Sequence, residues 1–214
     1  VRVQLFVSCA LLLASASAAT VALSTASCAT SASASSSSSA KAASSFISAT
    51  VGSSWTYQVV PGPPEPQTVT ITGRDDRGFY VDDAGGKVAP RSDGIYDGAR
   101  FLLKDPVEVG TTWIAVPKGP KPGQPGPTET YTITAVDVDV TVPAGTFAGC
   151  AQVTATTPAR DPETGQAVTL TLEWTWAPGV GIVQFKQSVR RGDESTPLQT
   201  ATMSLLSYTA APPL

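Results

Sequence analysis

The sequence predicts an all-β fold: a single curved antiparallel meander, a half-barrel or open barrel, over residues 46–211, preceded by an export segment and a flexible tether. Three observations carry this expectation. From Phe46 onward, short runs rich in Val, Thr, Tyr and Trp recur between clusters of Gly, Pro and Asp. No stretch has the length and 3.6-residue period of a long amphipathic helix. The first quarter of the chain differs in composition from the rest, an apolar leader giving way to a tract of little but Ser, Ala and Thr.

The clearest strand is Val168–Trp176, whose alternation puts Val168, Leu170, Leu172, Trp174 and Trp176 on one face and Thr169, Thr171, Glu173 and Thr175 on the other. A helix would scatter the same residues. Burying that stripe contributes on the order of 10 kcal/mol before chain entropy is subtracted, at ~1.5 to 3 kcal/mol per large side chain. Similar runs occupy Ser54–Val60, Gln67–Thr72, Gly78–Asp82, Gly94–Leu103, Thr112–Val116, Glu129–Val142, Ala151–Thr156, Gly181–Val189 and Thr196–Tyr208. Between them lie turn sequences such as Asp75-Asp76-Arg77-Gly78, Asp83-Ala84-Gly85-Gly86 and Asp161-Pro162-Glu163-Thr164-Gly165. The alternation of Tyr131–Val142 slips by one at Ala135-Val136, which predicts a bulge or a bend of the strand. The Pro-rich stretches 61–66 and 117–127 read as loops, because proline removes ladder donors. Only a short helix is expected, near Ala43–Ala49 or Asp97–Leu103.

Composition narrows the function classes. Of 214 residues, 14 are Lys or Arg and 17 Asp or Glu, a net charge of -3 with no basic run, so nucleic acid is not an expected partner. The chain has three cysteines, at 9, 28 and 150, too few for a disulfide scaffold. It has no histidine. That removes the usual general base at neutral pH, the commonest neutral metal ligand and every Ser-His or Cys-His mechanism.

The leader, residues 1–27, reads as a signal peptide: Arg2 precedes an apolar run of roughly a dozen residues that shades into small ones. Two endings compete. Ala16-Ser17-Ala18 suits ordinary signal peptidase, while Ser24-Thr25-Ala26-Ser27-Cys28 resembles a lipobox, with Thr25 where an aliphatic residue is favoured. Lipidation of Cys28 is the expected outcome, because residues 28–45 carry almost no large apolar side chain and read as the flexible tether of a membrane-anchored domain. Cys28 would then make the membrane the first partner. In resembling Gram-negative lipoproteins, Ala29 after the cysteine implies the outer membrane; soluble secretion is the alternative.

Candidate chemistry is sparse. The acid pairs Asp75/Asp76, Asp82/Asp83 and Asp137/Asp139 lie at turns or on an alternating strand, without the loop spacing of a calcium site. Glu173 faces away from the tryptophans beside it. Cys150 lacks an evident activating neighbour and reads as a small buried residue. Arg191-Gly192-Asp193 reads as a hairpin turn, and Ser38-Ser39-Ala40-Lys41, a Ser-x-x-Lys spelling, falls within the expected tether. The aromatic residues Trp113, Tyr131, Trp174 and Trp176 are expected mainly in the core. They are also the candidate lining of an apolar ligand cavity, or of a sugar-stacking face. No cofactor and no metal is expected.

Four stretches, Gly52–Tyr57, Leu102–Trp113, Val142-Pro143-Ala144-Gly145-Thr146-Phe147 and Trp176-Ala177-Pro178-Gly179-Val180-Gly181-Ile182-Val183, resemble a group of bacterial secreted proteins and lipoproteins of uncharacterised function. The resemblance spans residues 50–207. It implies a curved antiparallel sheet similar in outline to the half-barrels of outer-membrane lipoprotein carriers, and it brings no catalytic residue with it. The expectation is therefore a cell-envelope lipoprotein whose β domain is not an enzyme but a binding or accessory module, with an apolar ligand or an envelope protein as partner. Two alternatives stand beside it: an envelope enzyme acting on polysaccharide through Glu173, Asp137 or Asp139, and an assembly protein docking through a sheet edge or the Pro-rich loop.

Overall fold

The computed structural model describes residues 41–98, 100–116, 128–161, 164–192 and 196–212. The leader, Cys28, residues 28–40 of the expected tether, Asp193 and the second Pro-rich loop lie outside them. The alternating runs form the strands β1 (Ser54–Val60), β2 (Gln67–Arg74), β3 (Tyr80–Asp82), β4 (Lys87–Arg91), β5 (Gly94–Asp97), β6 (Arg100–Lys104), β7 (Thr112–Ala115), β8 (Glu129–Val142), β9 (Gly145–Arg160), β10 (Ala167–Ala177), β11 (Gly181–Arg191) and β12 (Gln199–Thr209). Among the described residues they make one twelve-stranded antiparallel sheet, ordered β6-β5-β4-β3-β2-β1-β12-β11-β10-β9-β8-β7. Every pair is a sequence neighbour except β1 with β12. The meander is thus a nearly closed barrel whose two edges, β6 and β7, are themselves consecutive in the chain.

Those edges share no ladder. They are fastened by side chains instead: Trp113 Nε1 of β7 donates to the Phe101 carbonyl of β6 at 3.2 Å, and Arg100 Nη1 of β6 reaches the Tyr131 hydroxyl of β8 at 3.5 Å.

Several elements depart from the sequence expectation for identifiable reasons. The run Gly94–Leu103 is neither one strand nor a helix but a hairpin, β5–β6, with Gly98 in the left-handed region (φ 62°) and Arg100 Nη2 bonded to Asp97 Oδ2 at 2.8 Å across the turn. β4 has no counterpart among the expected runs, because Pro90 obscures it. Pro90 lies beyond the last β3–β4 pair, Tyr80↔Val88, so its missing N–H costs no bond on that side. Pro158 uses the same device in β9, past Thr156, the last residue of β9 paired with β8. The expected slip in β8 is present: register shifts separate Ile133, Ala135, Val138 and Val140, and Asp137 adopts φ 54°. In β10 the predicted inward stripe is buried, but Thr175, expected on the solvent face, is buried too, beside a bulge between Thr175 and Trp176.

The base of the barrel is sealed by a segment that composition assigns to the tether. Residues 41–45 belong to the domain instead: Ala43–Phe46 form a 3-10 turn with Ala43 and Phe46 buried, and Ile47 makes an antiparallel bridge to Val180. Small residues disguise this, because the bonds are made mostly by backbone. Ala43 N donates to Asp105 Oδ1 (2.8 Å) and Gly179 N to the Ser45 carbonyl (2.8 Å). Lys41 Nζ meets Asp137 Oδ1 at 2.8 Å, over the β8 bulge.

The four resembling stretches turn out to be joints of this base. Trp55 Nε1 donates to the Val180 carbonyl and Tyr57 OH to that of Ile182, both at 2.7 Å, so the Gly52–Tyr57 stretch grips the β10–β11 turn. Gly179 and Gly181 there take φ 71° and 102°, which favours glycine over any side chain. In the Leu102–Trp113 stretch, Gly110 N bonds the Ile133 carbonyl, and Ala144 N in the β8–β9 turn bonds that of Leu205 in β12. Phe46→Ala is expected to cost about 3–5 kcal/mol, the usual loss for a buried phenylalanine, whereas Phe46→Leu costs less. Urea unfolding of both variants measures it; a midpoint unchanged in Phe46→Ala would show that the segment does not seal the base.

Candidate functional site

Directly opposed residues in an antiparallel ladder share a face, so the registers define rows across the inner surface. One row runs Trp113 (β7), Tyr131 (β8), Ala155 (β9), Leu172 (β10), Gln187 (β11), Ala201 (β12). The next, nearer the base, runs Ile133, Val153, Trp174, Phe185, Met203 and, on β1, Val59. Ala155 is small, and Tyr131 and Trp174 stack diagonally with centroids 5.5 Å apart. With Trp113–Tyr131 at 5.4 Å and Trp174–Phe185 at 5.4 Å, four rings form a continuous ladder from β7 to β11. Each such contact adds about 0.5–1.5 kcal/mol beyond area burial.

The structure therefore joins three of the four sequence-predicted residues, Trp113, Tyr131 and Trp174, and leaves the fourth apart. Trp176 sits one step closer to the base, opposite Ala151 and Ile182, and its Nε1 has no partner among the described residues. All four are buried, at 5%, 1%, 5% and 1% exposure respectively, so none presents an open ring face for sugar stacking.

Exposure divides the inner wall in two. On β7 to β10 the inward side chains in these rows are buried, whereas Phe185, Gln187 and Val189 of β11, Gln199 and Ala201 of β12, and Val59 of β1 are half-buried. The accessible part of the interior is the upper face of β11, β12 and β1, with the aromatic ladder as its flank.

Sequence reasoning missed a polar group in this interior. Glu129, two residues before Tyr131 in the alternation, is buried and accepts a hydrogen bond from the Tyr131 hydroxyl at 2.5 Å. Beside it on β9, the buried Thr157 hydroxyl has no partner among the described residues. Burial foremost pushes the Tyr131 phenol well above its usual value, so it is a donor, not an anion, at neutral pH. The period-2 pattern was the available signal, since it places Glu129 on the face of Tyr131 and Ile133.

The carboxylates singled out from sequence do not converge. Glu173 is exposed on the outer face opposite Lys186, Asp139 is exposed, and Asp137 is held at the bulge by Lys41. Asp75 organises the β2–β3 turn, accepting from Arg77 N (3.1 Å) and Phe79 N (2.9 Å) and pairing with Lys87 at 2.8 Å. Asp82 caps the next turn through Ala84 N and Gly86 N, and burial pushes its carboxyl up. Cys150 is a free, buried thiol whose Sγ lies 3.3 Å from the Phe147 carbonyl; burial and then Asp139 push it above its ordinary value, the reverse of an activated nucleophile. Among the described residues no group of three or more His, Cys, Asp or Glu side chains is placed to hold a metal. Arg191 pairs loosely with Asp161, at 3.7 Å.

No family model matches this sequence, and no curated protein matches it. Among solved structures the chain is similar to a candidate lipoprotein of Parabacteroides distasonis ATCC 8503, at 15% identity over 77% of this chain and 98% of that one, with a TM-score of 0.43. It is similar also to a candidate exported protein with a YmcC-like fold from Bacteroides fragilis NCTC 9343, at 12% identity over 77% and 98% of the two chains, TM-score 0.43.

Two outcomes follow from this geometry. Tyr131→Phe keeps the ring ladder but leaves Glu129 without its donor, at an expected cost of about 1–3 kcal/mol; urea denaturation reads it, and no loss would show the bond idle. The Lys87 bond, followed by the Phe79 N–H, holds the Asp75 carboxyl below its ordinary value. A depressed folded-state value means that ionised Asp75 favours the fold above the ordinary carboxylate range, and that this support is lost as pH falls through the depressed value. Asp75→Asn is therefore expected to flatten the acid limb of stability against pH. Urea midpoints from neutral to acid pH test this, and equal slopes in both proteins would refute it.

Proposed function

We propose that this chain is a cell-envelope lipoprotein, held to a membrane by acyl chains on Cys28, whose β domain is a non-catalytic binding module for an apolar ligand. One observation carries the binding role: the inward side chains Val59, Phe185, Val189 and Ala201 are half-buried, while those of the two rows on β7 to β10 are buried. Apolar surface left accessible inside a barrel is surface a ligand can cover, at ~25 cal/mol for each Å² removed from water. The anchor rests on the leader and on Cys28 with the small residues before it. Support for a role without catalysis comes from the lack of histidine, the unactivated Cys150 thiol and the separation of Glu173, Asp137 and Asp139.

Two measurements test the parts separately. Intact mass of the mature protein extracted from membranes is expected to show a start at Cys28 with acyl chains attached, and Cys28→Ser to shift the protein to the soluble fraction. A start at Ala19 without lipid would overturn the anchor. For the interior, the apolar dye Nile red is expected to bind with enhanced emission. Phe185→Ala is expected to weaken it about five-fold, the equivalent of about 1 kcal/mol of lost apolar contact. Absence of dye binding would overturn the binding role.

A further inference from the structure

The outer face of β3 to β6 carries a charged patch that no run in the sequence shows. Ala89↔Tyr96 and Tyr96↔Phe101 are opposed across β4, β5 and β6 and so share a face, while the alternate pair, Ile95↔Leu103, is buried in the core. Gly94 leaves room for Phe101, whose ring a side chain there would strike. Arg77 and Arg91 lie over Phe79, with their guanidinium carbons 5.7 and 5.1 Å from its centre, and Arg91 also covers Tyr96 at 5.2 Å. Tyr96 and Phe101 touch with centroids 4.3 Å apart, and Lys104 Nζ stands 5.5 Å over Phe101. Cations and rings thus form one unbroken chain of contacts from Arg77 to Lys104. Resting on the reading of Cys28 as an acylated anchor, we propose that this patch seats the domain on the anionic phospholipid headgroups of the membrane that holds the anchor, and so fixes which side of the barrel faces the bilayer.

Charge complementarity argues for an anion. None of Arg77, Arg91 and Lys104 forms an ion pair among the described residues, and the two arginines are exposed. Carboxylates of the same strands and turns are committed elsewhere: Asp75 pairs with Lys87, Asp93 accepts from the Tyr96 hydroxyl at 2.7 Å, and Asp105 accepts from Ala43 N. Asp76, beside Arg77, tempers the patch without pairing. A ring face holds a guanidinium in place without neutralising it, so the charge stays available to a phosphate, whose geometry the planar fork suits. The half-buried rings of Tyr96 and Phe101 match the headgroup level, where amphipathic aromatic side chains gather. The entry of the chain argues for a membrane rather than a polymer free in solution. Ala43 N bonds Asp105, the neighbour of Lys104, and Asp105 N bonds the Asp93 carbonyl at 3.1 Å, so the tether joins the domain at the margin of the patch. From Cys28 to Lys41 the chain spans at most about 45 Å, which keeps this margin near the anchored surface.

The test sediments the mature chain from residue 28, carrying Cys28→Ser so that no acyl chain contributes, with vesicles of equimolar phosphatidylcholine and phosphatidylglycerol or of phosphatidylcholine alone. Binding to the anionic vesicles is expected to be stronger by roughly ten-fold or more, and to be lost at high ionic strength, as screening of exposed charges requires. Such binding orients the domain and does not replace the anchor. Arg91→Gln and Lys104→Gln are each expected to weaken it about five-fold, the equivalent of about 1 kcal/mol per cation near a charged surface. Arg77→Gln is the further variant should Arg91→Gln fail to fold. Arg190→Gln, on the exposed outer face of β11, is expected to leave binding unchanged. No binding to either vesicle, equal binding to both, an equal loss in Arg190→Gln and the patch variants, or binding of polyphosphate without binding of anionic vesicles would each overturn docking through this face. The anchor stands or falls separately on the intact mass, since the vesicle assay runs without it.

Discussion

The pairing of the first strand with the last is the interaction on which the rest of this structure depends. β1 and β12 are matched from Ser54↔Thr209 to Val60↔Thr202, and without that ladder the chain would be two separate meanders, β1–β6 and β7–β12. Joining the chain ends moves the discontinuity of the barrel to its middle, between β6 and β7. There the connecting segment is short, so the two edges stay close whether or not they pair. The indole of Trp113 then closes with one hydrogen bond what a ladder would close with several.

The same pairing explains why the base is so heavily tied. β1 carries Trp55 and Tyr57, and they spend their polar atoms on carbonyls of the β10–β11 turn (Val180) and of the start of β11 (Ile182), although β1 and β11 are not neighbours in the sheet. A buried aromatic donor left unsatisfied costs about 1–3 kcal/mol, so these two bonds fix how far the barrel can splay at that end. Burial pushes the Tyr57 phenol far above its usual value, which keeps the donor in place across the physiological range. Residues 41–50 thread through this arrangement and finish it, with Thr50 Oγ1 bonding the Ala211 carbonyl beside the C-terminal strand.

Much of the fold was legible because period-2 alternation is a strong signal where a strand is long and one-sided. Val168–Trp176 announces both its structure and its inner face, and even the slip at Ala135-Val136 reports the bulge that forms there. Legibility failed where the deciding contact is backbone or is remote in sequence. Lys87–Arg91 reads as non-strand because Pro90 is judged without knowing that β3 has already ended. Ser and Ala at 42–45 look like tether because nothing local tells that Asp105 will accept the Ala43 amide. For the candidate site, the aromatic residues were visible one by one. Their stacking was not, since it depends on Ala155 of a third strand leaving room between Tyr131 and Trp174.

The inner wall also divides burial unevenly within one sheet. β8, β9 and β10 are the long strands, of 14, 16 and 11 residues, and β10 presents an unbroken buried stripe from Val168 to Trp176. That side carries the ring ladder and closes the core. On the adjoining strand, β11 carries Phe185, Gln187 and Val189 in the same registers but half-exposed, and Phe185 is the one ring of the ladder that is not buried. A face that had to supply the core could not remain accessible without cost. Because the adjoining strands β8 to β10 already supply it, Phe185, Gln187, Val189, Ala201 and Val59 of β11, β12 and β1 can stay half-buried.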